Sequence, residues 1–257
     1  MKWPTKRFYG KVDLIAIERG YRILLDGRAM KTPAGADFLL PTQALARAVV
    51  EEWLAQTDVI RPETLHATRL AATAIDRVSV DRQAVVDQLI ASADFDLLFY
   101  RAADPPDLAL RQDACWQPLL DWAAEIWRVA FAVTTGVMPV SQPDEVAEAL
   151  ASAVEMLGDM ELTGVASVAQ ASGSLIIALA LAAERIDAAT ACEAAMLDEN
   201  YQIERWGVVE ESIERRQRLK DDIVFADRFI AWCRNAERNH GVERDHWATD
   251  RSKGRVH

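Results

Sequence analysis

The residues best suited to chemistry are carboxylates near position 200. Asp198, Glu199 and Glu204 stand close together in the sequence, and a carboxylate whose pKa is raised by burial can serve as a general acid or base. If residues 187–206 form one helix, a rotation of about 100° per residue places Glu199 on the apolar stripe with Ile203. This pattern supports one hypothesis, a carboxylate-dependent enzyme that uses Asp198, Glu199 or Glu204.

Other interpretations of Glu199 are a structural ion pair and partner binding. A carboxylate on an apolar helix face needs a partner, and the sequence favours a salt bridge with a helix arginine such as Arg69 or Arg77. A role in binding ranks second and acid catalysis third.

The same region also has the composition of a binding surface. Acidic residues surround an aromatic residue there, and an aromatic anchor with a charged rim is a common form of protein-binding patch. The predicted partner-binding residues are Glu199, Glu204, Trp206, Gly207, Glu210 and Glu211. Glu210 and Glu211 also fit the first turn of a final helix, where acids favour the helix dipole, so they have a structural interpretation as well.

Motifs for other chemistry are missing from the sequence. There is no phosphate-binding glycine loop, dinucleotide fingerprint or serine nucleophile elbow. His66 is the single histidine before residue 237, and Cys115, Cys192 and Cys233 form no paired motif. The sequence therefore predicts no catalytic residue, no cofactor and no metal site, and favours a binding protein over an enzyme.

The net charge of the chain argues against two classes of binding partner. The chain of 257 residues has 29 basic and 40 acidic side chains, a net charge of −11. Residues 1–65 carry 10 basic and 8 acidic side chains, so the excess of acid lies in the remainder. Such a balance opposes binding to nucleic acid or to anionic lipid.

The segment 162–183 contains no charged residue. Its first half is rich in serine, threonine and glycine, and only residues 175–183 are strongly apolar. Acidic residues flank both ends, without the basic cluster that orients a membrane span. We therefore predict a central helix buried in a bundle and no insertion into a membrane.

The elements that must position these residues indicate an α+β fold. Strands are predicted at 11–17, 21–25, 28–32 and 38–40, with a hairpin turn at Asp26-Gly27. Helical periodicity begins after Thr42, a predicted N-cap, and runs to Gln56. The sequence thus predicts a small antiparallel sheet domain with one helix.

Helices are predicted throughout the rest of the chain. The expected ranges are 68–78, 82–91, 106–129, 144–157, 161–185, 187–206 and 210–234, with an extended stretch near 131–140. The predicted domains are 1–65, a small β-containing domain, and 66–236, an all-helical domain. The tail at 237–257 is polar and lacks periodicity, which predicts disorder.

Seven short stretches, in order, resemble the assembly-factor family that chaperones the alpha subunit of the ATP synthase catalytic head. These stretches are Arg7-Phe8-Tyr9, Leu25-Asp26-Gly27-Arg28 with Lys31-Thr32-Pro33, Leu40-Pro41-Thr42 with Glu52-Trp53, Thr68-Arg69-Leu70-Ala71 with Thr73-Ala74-Ile75-Asp76-Arg77, Asp96-Leu97-Leu98-Phe99-Tyr100-Arg101, Trp116 with Pro118-Leu119-Leu120 and Trp122, and Gln202 with Trp206-Gly207 and Glu210-Glu211.

The resemblance implies a non-catalytic chaperone that holds the unassembled alpha subunit until the beta subunit replaces it. Eukaryotic members of the family work in the mitochondrial matrix and carry a presequence. This sequence begins without one, so we expect a bacterial cytoplasmic member that is a monomer. An acidic adaptor for another client is the remaining alternative.

Overall fold

The N-terminal part of the chain folds around a small antiparallel sheet. The computed structural model describes residues 6–136, 138–207 and 210–234, without the side chains of residues 210 and 211. The strands of the sheet are β1 (Val12–Ile17), β2 (Gly20–Leu25), β3 (Arg28–Ala29) and β4 (Leu39–Leu40). Strand β2 pairs along its whole length with β1, and its other edge pairs with β3 and β4.

The predicted hairpin turn at Asp26-Gly27 is confirmed. The φ angles are 48° at Asp26 and 78° at Gly27, as a two-residue hairpin loop with positive φ at both positions requires. The Asp26 carboxylate accepts hydrogen bonds from the backbone N–H groups of Gly10 and Lys11, at 3.0 and 2.8 Å. The turn therefore also fixes the chain that leads into β1.

Helix α1 (Gln43–Leu54) begins where the sequence predicts and covers the sheet. Thr42 is its N-cap, because the hydroxyl oxygen of Thr42 accepts a hydrogen bond from the Leu45 N–H at 3.2 Å. Leu45, Val49 and Trp53 are buried on one face of this helix. Burial of this apolar face attaches the helix to the strands.

The remainder of the described chain is mostly helical. Its helices are α2 (His66–Thr73), α3 (Arg82–Ala93), α4 (Pro106–Trp127), α5 (Asp144–Glu155), α6 (Asp159–Ser172), α7 (Leu175–Ala182), α8 (Ala188–Ala195), α9 (Leu197–Trp206) and α10 (Glu210–Cys233). Two short parallel strands, β5 (Tyr100–Arg101) and β6 (Thr134–Thr135), interrupt the helices. The α+β fold class is confirmed, and the predicted tail lies outside the described residues.

Two predicted helices are each broken into two, so those two predictions are wrong. The segment predicted at 161–185 turns at Gly173, whose φ of 71° lies in the left-handed region that glycine tolerates. Ser174 then caps α7 by accepting the Ile177 N–H at 3.0 Å. The segment predicted at 187–206 breaks at Met196, which separates α8 from α9.

Two hydrophobic clusters form the core, and α10 contributes to both. One cluster lies between the sheet, α1 and α2 and includes Phe229. The other surrounds α7 and includes Ile223 and Ile230. The domain boundary predicted at residue 65 stays a prediction. Helix α2 shares a hydrophobic cluster with the sheet, and α10 joins the two clusters.

The prediction of a buried central helix is confirmed. Every residue of α7 is buried, including Leu175, Ile176, Leu179 and Leu181. Among the described residues, no helix combines the length and apolar composition needed to cross a bilayer.

Gly164 allows helices α6 and α10 to approach closely. A Cβ atom at this position would lie 2.6 Å from Ile230 Cγ1 and 3.4 Å from Phe229 Cδ1. Ile230 and Phe229 are fully buried, so neither side chain has free space to move into. The absence of a side chain at residue 164 is therefore a packing requirement.

Asp96 connects two helical segments in the interior. Its carboxylate accepts the backbone N–H of Leu98 at 3.0 Å and the N–H of Ile176, in the first turn of α7, at 3.2 Å. The side chain is completely buried, and this burial raises the pKa of Asp96 to about 6, although hydrogen bonds from Ser174 and these backbone groups oppose the shift. The carboxylate thus satisfies N–H groups at the buried start of α7.

We expect Gly164→Ala to lower the free energy of unfolding by about 1–3 kcal/mol, because the added methyl group overpacks the α6–α10 contact. Chemical denaturation of the purified protein measures the change. Gly10→Ala is the matched control, since its nearest contact would be an ordinary 3.7 Å to Asp26 Oδ1. Equal stability of the two variants would contradict the proposed close packing.

We expect Asp96→Asn to change how stability depends on pH. The pKa of Asp96 is about 6 in the folded protein, whereas its ordinary value is 3.8. Between these two pH values the folded protein therefore keeps a proton that the unfolded chain has released. Its stabilising contribution is full below pH 3.8 and is lost as the pH rises through 6. The stability difference, wild type minus variant, should therefore fall by about 2–3 kcal/mol between pH 4 and pH 7.

Urea unfolding at both pH values measures this difference. A wild type and a variant whose stabilities change in parallel with pH would contradict a raised pKa for Asp96.

Candidate partner-binding surface

Helix α9 is held against α4 by Tyr201, a residue that the sequence analysis did not single out. Its side chain is 2% exposed, and its hydroxyl donates to Asp107 Oδ1 at 2.8 Å. The guanidinium carbons of Arg111 and Arg205 lie 5.2 and 4.7 Å from the centre of its ring. Burial and the bond to Asp107 raise the pKa of Tyr201, and the same bond lowers the pKa of Asp107.

The charged residues around Tyr201 form ion pairs between the two helices. Glu204 Oε2 lies 2.6 Å from Arg111 Nη1, and Arg205 pairs with Asp107. The charge of Glu204 is therefore partly balanced by α4, although its side chain stays about half exposed. The geometry gives Glu204 a structural role in addition to the predicted binding role.

Glu199 faces the last helix. Its carboxylate lies 2.7 Å from Arg215 and 3.6 Å from Arg216, and Arg216 also donates to the side-chain oxygen of Asn200. The prediction of a salt bridge is confirmed, but the suggested partners Arg69 and Arg77 were wrong. The break at Met196 ends the helical phase on which the apolar-stripe argument depended.

The three carboxylates of the enzyme hypothesis do not converge on one site. Asp198 accepts a hydrogen bond from the buried Gln112 at 2.7 Å, whereas Glu199 contacts α10 and Glu204 contacts α4. In the part of the chain that the structure describes, no group of histidine, cysteine and acidic side chains could hold a metal ion. The arrangement favours a structural use of these carboxylates.

The other chemically versatile side chains are in apolar surroundings. Burial raises the pKa of Cys192 to about 11 and that of Cys233 to about 12. Burial also raises the pKa of Cys115 and lowers that of His66. Thiols with raised pKa values are poor nucleophiles, so the three cysteines fit a packing role.

Trp206 is the most exposed aromatic side chain among the described residues, at 75%. It is the last residue of α9, and Gly207 follows with φ 84° and ψ 171°, a region that only glycine enters readily. The Gly207 N–H still bonds to the Ile203 carbonyl at 2.9 Å. The chain therefore leaves the helix at once, and the indole has solvent around it.

Exposed apolar side chains on the flanking helices were missed by the sequence analysis. Leu110 on α4 and Ile213 near the start of α10 are exposed, at 69% and 53%. Leu110 lies next to Arg111, whose side chain reaches Glu204 on α9. Its position two residues before Gln112, whose side chain donates to Asp198 of α9, places it on a different face of α4.

We call Glu204, Trp206 and Gly207 the Trp206 surface. The predicted site residues Glu210 and Glu211 begin α10, but their side chains lie outside the described residues. Glu199 faces α10 as an ion-pair partner. The structure therefore keeps an exposed aromatic residue at the predicted position, two residues after the half-exposed Glu204.

Comparison with known proteins identifies the family. A family model described as ATP12 chaperone protein matches residues 6–124. The crystal structure of Atp12 from Paracoccus denitrificans is 38% identical, with a TM-score of 0.85, and the match covers 89% of this chain and 98% of that chain. The chain belongs to the ATP12 chaperone family.

Two further structures agree with this assignment. A mutant of the P. denitrificans protein with lysine in place of an aspartate is 37% identical, with a TM-score of 0.85, covering 89% of this chain and 98% of its own. A protein from Agrobacterium tumefaciens is 37% identical, with a TM-score of 0.84, covering 88% and 85%. The resemblance to the ATP synthase assembly-factor family is thereby confirmed.

Many of the residues that carry the ATP12 resemblance stabilise the fold. The Glu52 carboxylate accepts the N–H groups of Ala67 and Thr68 at the start of α2, at 2.6 and 2.9 Å. Arg101 is buried, and it pairs with Asp113 at 2.8 Å. These residues therefore position helices and do not themselves form a surface for a partner.

Gly207→Ala should destabilise the end of α9. We expect the free energy of unfolding to fall by about 1–3 kcal/mol, because alanine is strained at this positive φ and extended ψ. Chemical denaturation measures the effect, with the exposed Gln202→Ala on the same helix as control. A Gly207→Ala protein as stable as this control would show that the turn adapts to a side chain.

Proposed function

We propose that this chain binds the unassembled alpha subunit of the ATP synthase catalytic head and holds it until the beta subunit replaces it. Membership of the ATP12 chaperone family supports the role in ATP synthase assembly. The alpha subunit as client follows from the sequence resemblance. In this proposal the chain is a bacterial cytoplasmic monomer that catalyses no reaction.

The observation that carries the proposed contact is the exposure of Trp206. An aromatic side chain left in solvent costs hydrophobic free energy that burial against a partner would recover. The ion pair between Arg111 and Glu204, which precedes Trp206 by two residues, supplies a polar rim. An apolar centre with a polar rim is the usual anatomy of a protein interface.

Competition explains release without a nucleotide site. A free subunit of a ring exposes a large interface that would aggregate, and a chaperone that covers it must leave when a tighter partner arrives. If the beta subunit needs the same surface of the alpha subunit, its binding displaces the chaperone by mass action. The chain then needs only a surface of moderate affinity.

We expect Trp206→Ala to weaken capture of purified alpha subunit by about tenfold or more, since an aromatic anchor at an interface centre carries a large share of the binding energy. A quantitative pull-down measures the affinity. Phe95→Ala is the matched control, because Phe95 is also an exposed aromatic residue, at 65%, but precedes β5 at another place on the chain. An equal loss of affinity in both variants, or no loss in either, would contradict the proposed site.

Charge-changing variants test whether the acidic residues of the predicted site contribute to binding. Glu210→Lys should weaken capture, and the difference from wild type should shrink as added salt screens exposed charges over about 8–10 Å.

For Glu204, a swapped pair, Arg111→Glu with Glu204→Arg, keeps the interhelical ion pair and reverses its polarity. Full capture by the swapped pair would assign Glu204 to positioning α9 and leave contact with the client to Trp206.

A further inference from the structure

A groove runs beside the sheet, far in sequence from the Trp206 surface. It has a volume of about 530 Å³ and lies between the segment that precedes β1 and the edge strand β3. Its floor is apolar, formed by Tyr9, Leu25, Met30 and Trp53, all buried. Phe8 stands at its wall, 59% exposed. The volume suffices for several side chains of a bound ligand.

The segment before β1 is held firmly enough to serve as a wall. The Tyr9 hydroxyl donates to the Trp53 carbonyl at 2.6 Å, and the rings of Phe8 and Tyr9 meet edge to face at 5.4 Å. Arg7 donates to the carbonyls of Tyr9 and Gln56 at 3.0 and 2.7 Å. The groove is therefore a formed feature with a fixed opposite side.

Strand β3 offers an open backbone edge to this groove. Leu25 and Arg28 flank the two-residue turn, and the Met30 N–H bonds to the Ile23 carbonyl at 2.9 Å. Because hydrogen-bonded and non-bonded pairs alternate in an antiparallel ladder, the N–H and C=O of Ala29 point away from β2. No hydrogen bond of either group occurs within the described residues.

The rim of the groove is basic, in contrast to the acidic chain as a whole. Arg28 and Lys31 line it, and Arg28 has no ion-pair partner in the described ranges. Lys31 shares Asp37 with Arg22. The one acid in the lining, Asp26, is already hydrogen-bonded to the Gly10 and Lys11 N–H groups. The two cations of the lining therefore outnumber its one acid.

We propose that this groove binds an extended, acidic peptide segment with a large apolar side chain, supplied by a protein partner. The peptide backbone pairs with Ala29 as an added strand, a recognition mode that open sheet edges support. The apolar side chain enters between Phe8 and Met30, and the acidic residues approach Arg28 and Lys31. The net charge of −11 disfavours a nucleic acid as occupant, because a polyanion meets repulsion beyond the groove.

The test uses the full chain and a fluorescein-labelled peptide, Asp-Glu-Val-Phe-Val-Glu-Asp, followed by fluorescence anisotropy. We expect saturable binding that weakens by about tenfold or more when Phe is replaced by Ser or when the acids are replaced by lysine. N-methylation of the central peptide amides should weaken binding similarly, because it removes strand pairing. Labelled oligo-dT of equal charge should bind more weakly than the peptide.

Two variants of the protein test whether the peptide binds in the groove. Arg28→Glu should lose binding by about tenfold or more, whereas Arg19→Glu, an exposed arginine in the β1–β2 turn, should not. Ala29→Pro removes the outward N–H and leaves the ladder to β2 intact, since edge strands tolerate proline there. Ala29→Pro should weaken binding of the parent peptide, and N-methylation of the peptide should then have little further effect on binding.

Three outcomes would overturn the proposal. The first is the absence of saturable binding by the parent peptide. The second is equal binding of the Phe and Ser peptides, or of the peptide and oligo-dT, which would reduce the groove to a non-specific cationic patch. The third is equal loss in Arg28→Glu and Arg19→Glu. Trp206→Ala should bind the peptide as wild type does, so failure of the proposed client contact would leave this result unchanged.

Discussion

The packing of α10 against α6 is the contact on which most of the structure depends. The glycine at 164 lets the two helices approach, and the residues of α10 that use this space are Phe229 and Ile230. Phe229 belongs to the cluster under the sheet and Ile230 to the cluster around α7. The Thr42 hydroxyl also donates to the Trp232 carbonyl, which ties the start of α1 to the same helix. One helix thus fixes the sheet region and the helical bundle relative to each other.

Local signals in the sequence were sufficient for much of this fold. The Asp26-Gly27 turn, the Thr42 cap and the burial of α7 depend on residue type and short-range pattern, and all three were predicted correctly. The break at Gly173 had a local signal, a glycine followed by the N-cap residue Ser174, which the uncharged run on both sides obscured. The break at Met196 lies among alanine, methionine and leucine, which are good helix formers. Whether such a helix continues is decided by what packs against it, which the sequence does not state.

The candidate site was predicted less completely for the same reason. The exposure of Trp206 agrees with an aromatic anchor, but the burial of Tyr201 depends on contacts with α4, about 90 residues earlier in the chain. Likewise, the ion-pair partner of Glu199 lies on α10, whereas the prediction named arginines near residue 70. The carboxylates that resembled a functional cluster in the sequence all lie on α9, and they hold separate contacts with α4 and α10.

The order of the helices along the chain has a consequence for biosynthesis. Helix α7 is apolar on all sides, and the cluster that buries it includes residues of α10, which is made about 50 residues later. At ribosomal rates of about 5–20 residues per second, the nascent chain presents this incompletely covered apolar segment for about 3–10 s. The chain therefore passes through an aggregation-prone stage during its synthesis, and its yield in a cell depends on how well that interval is protected.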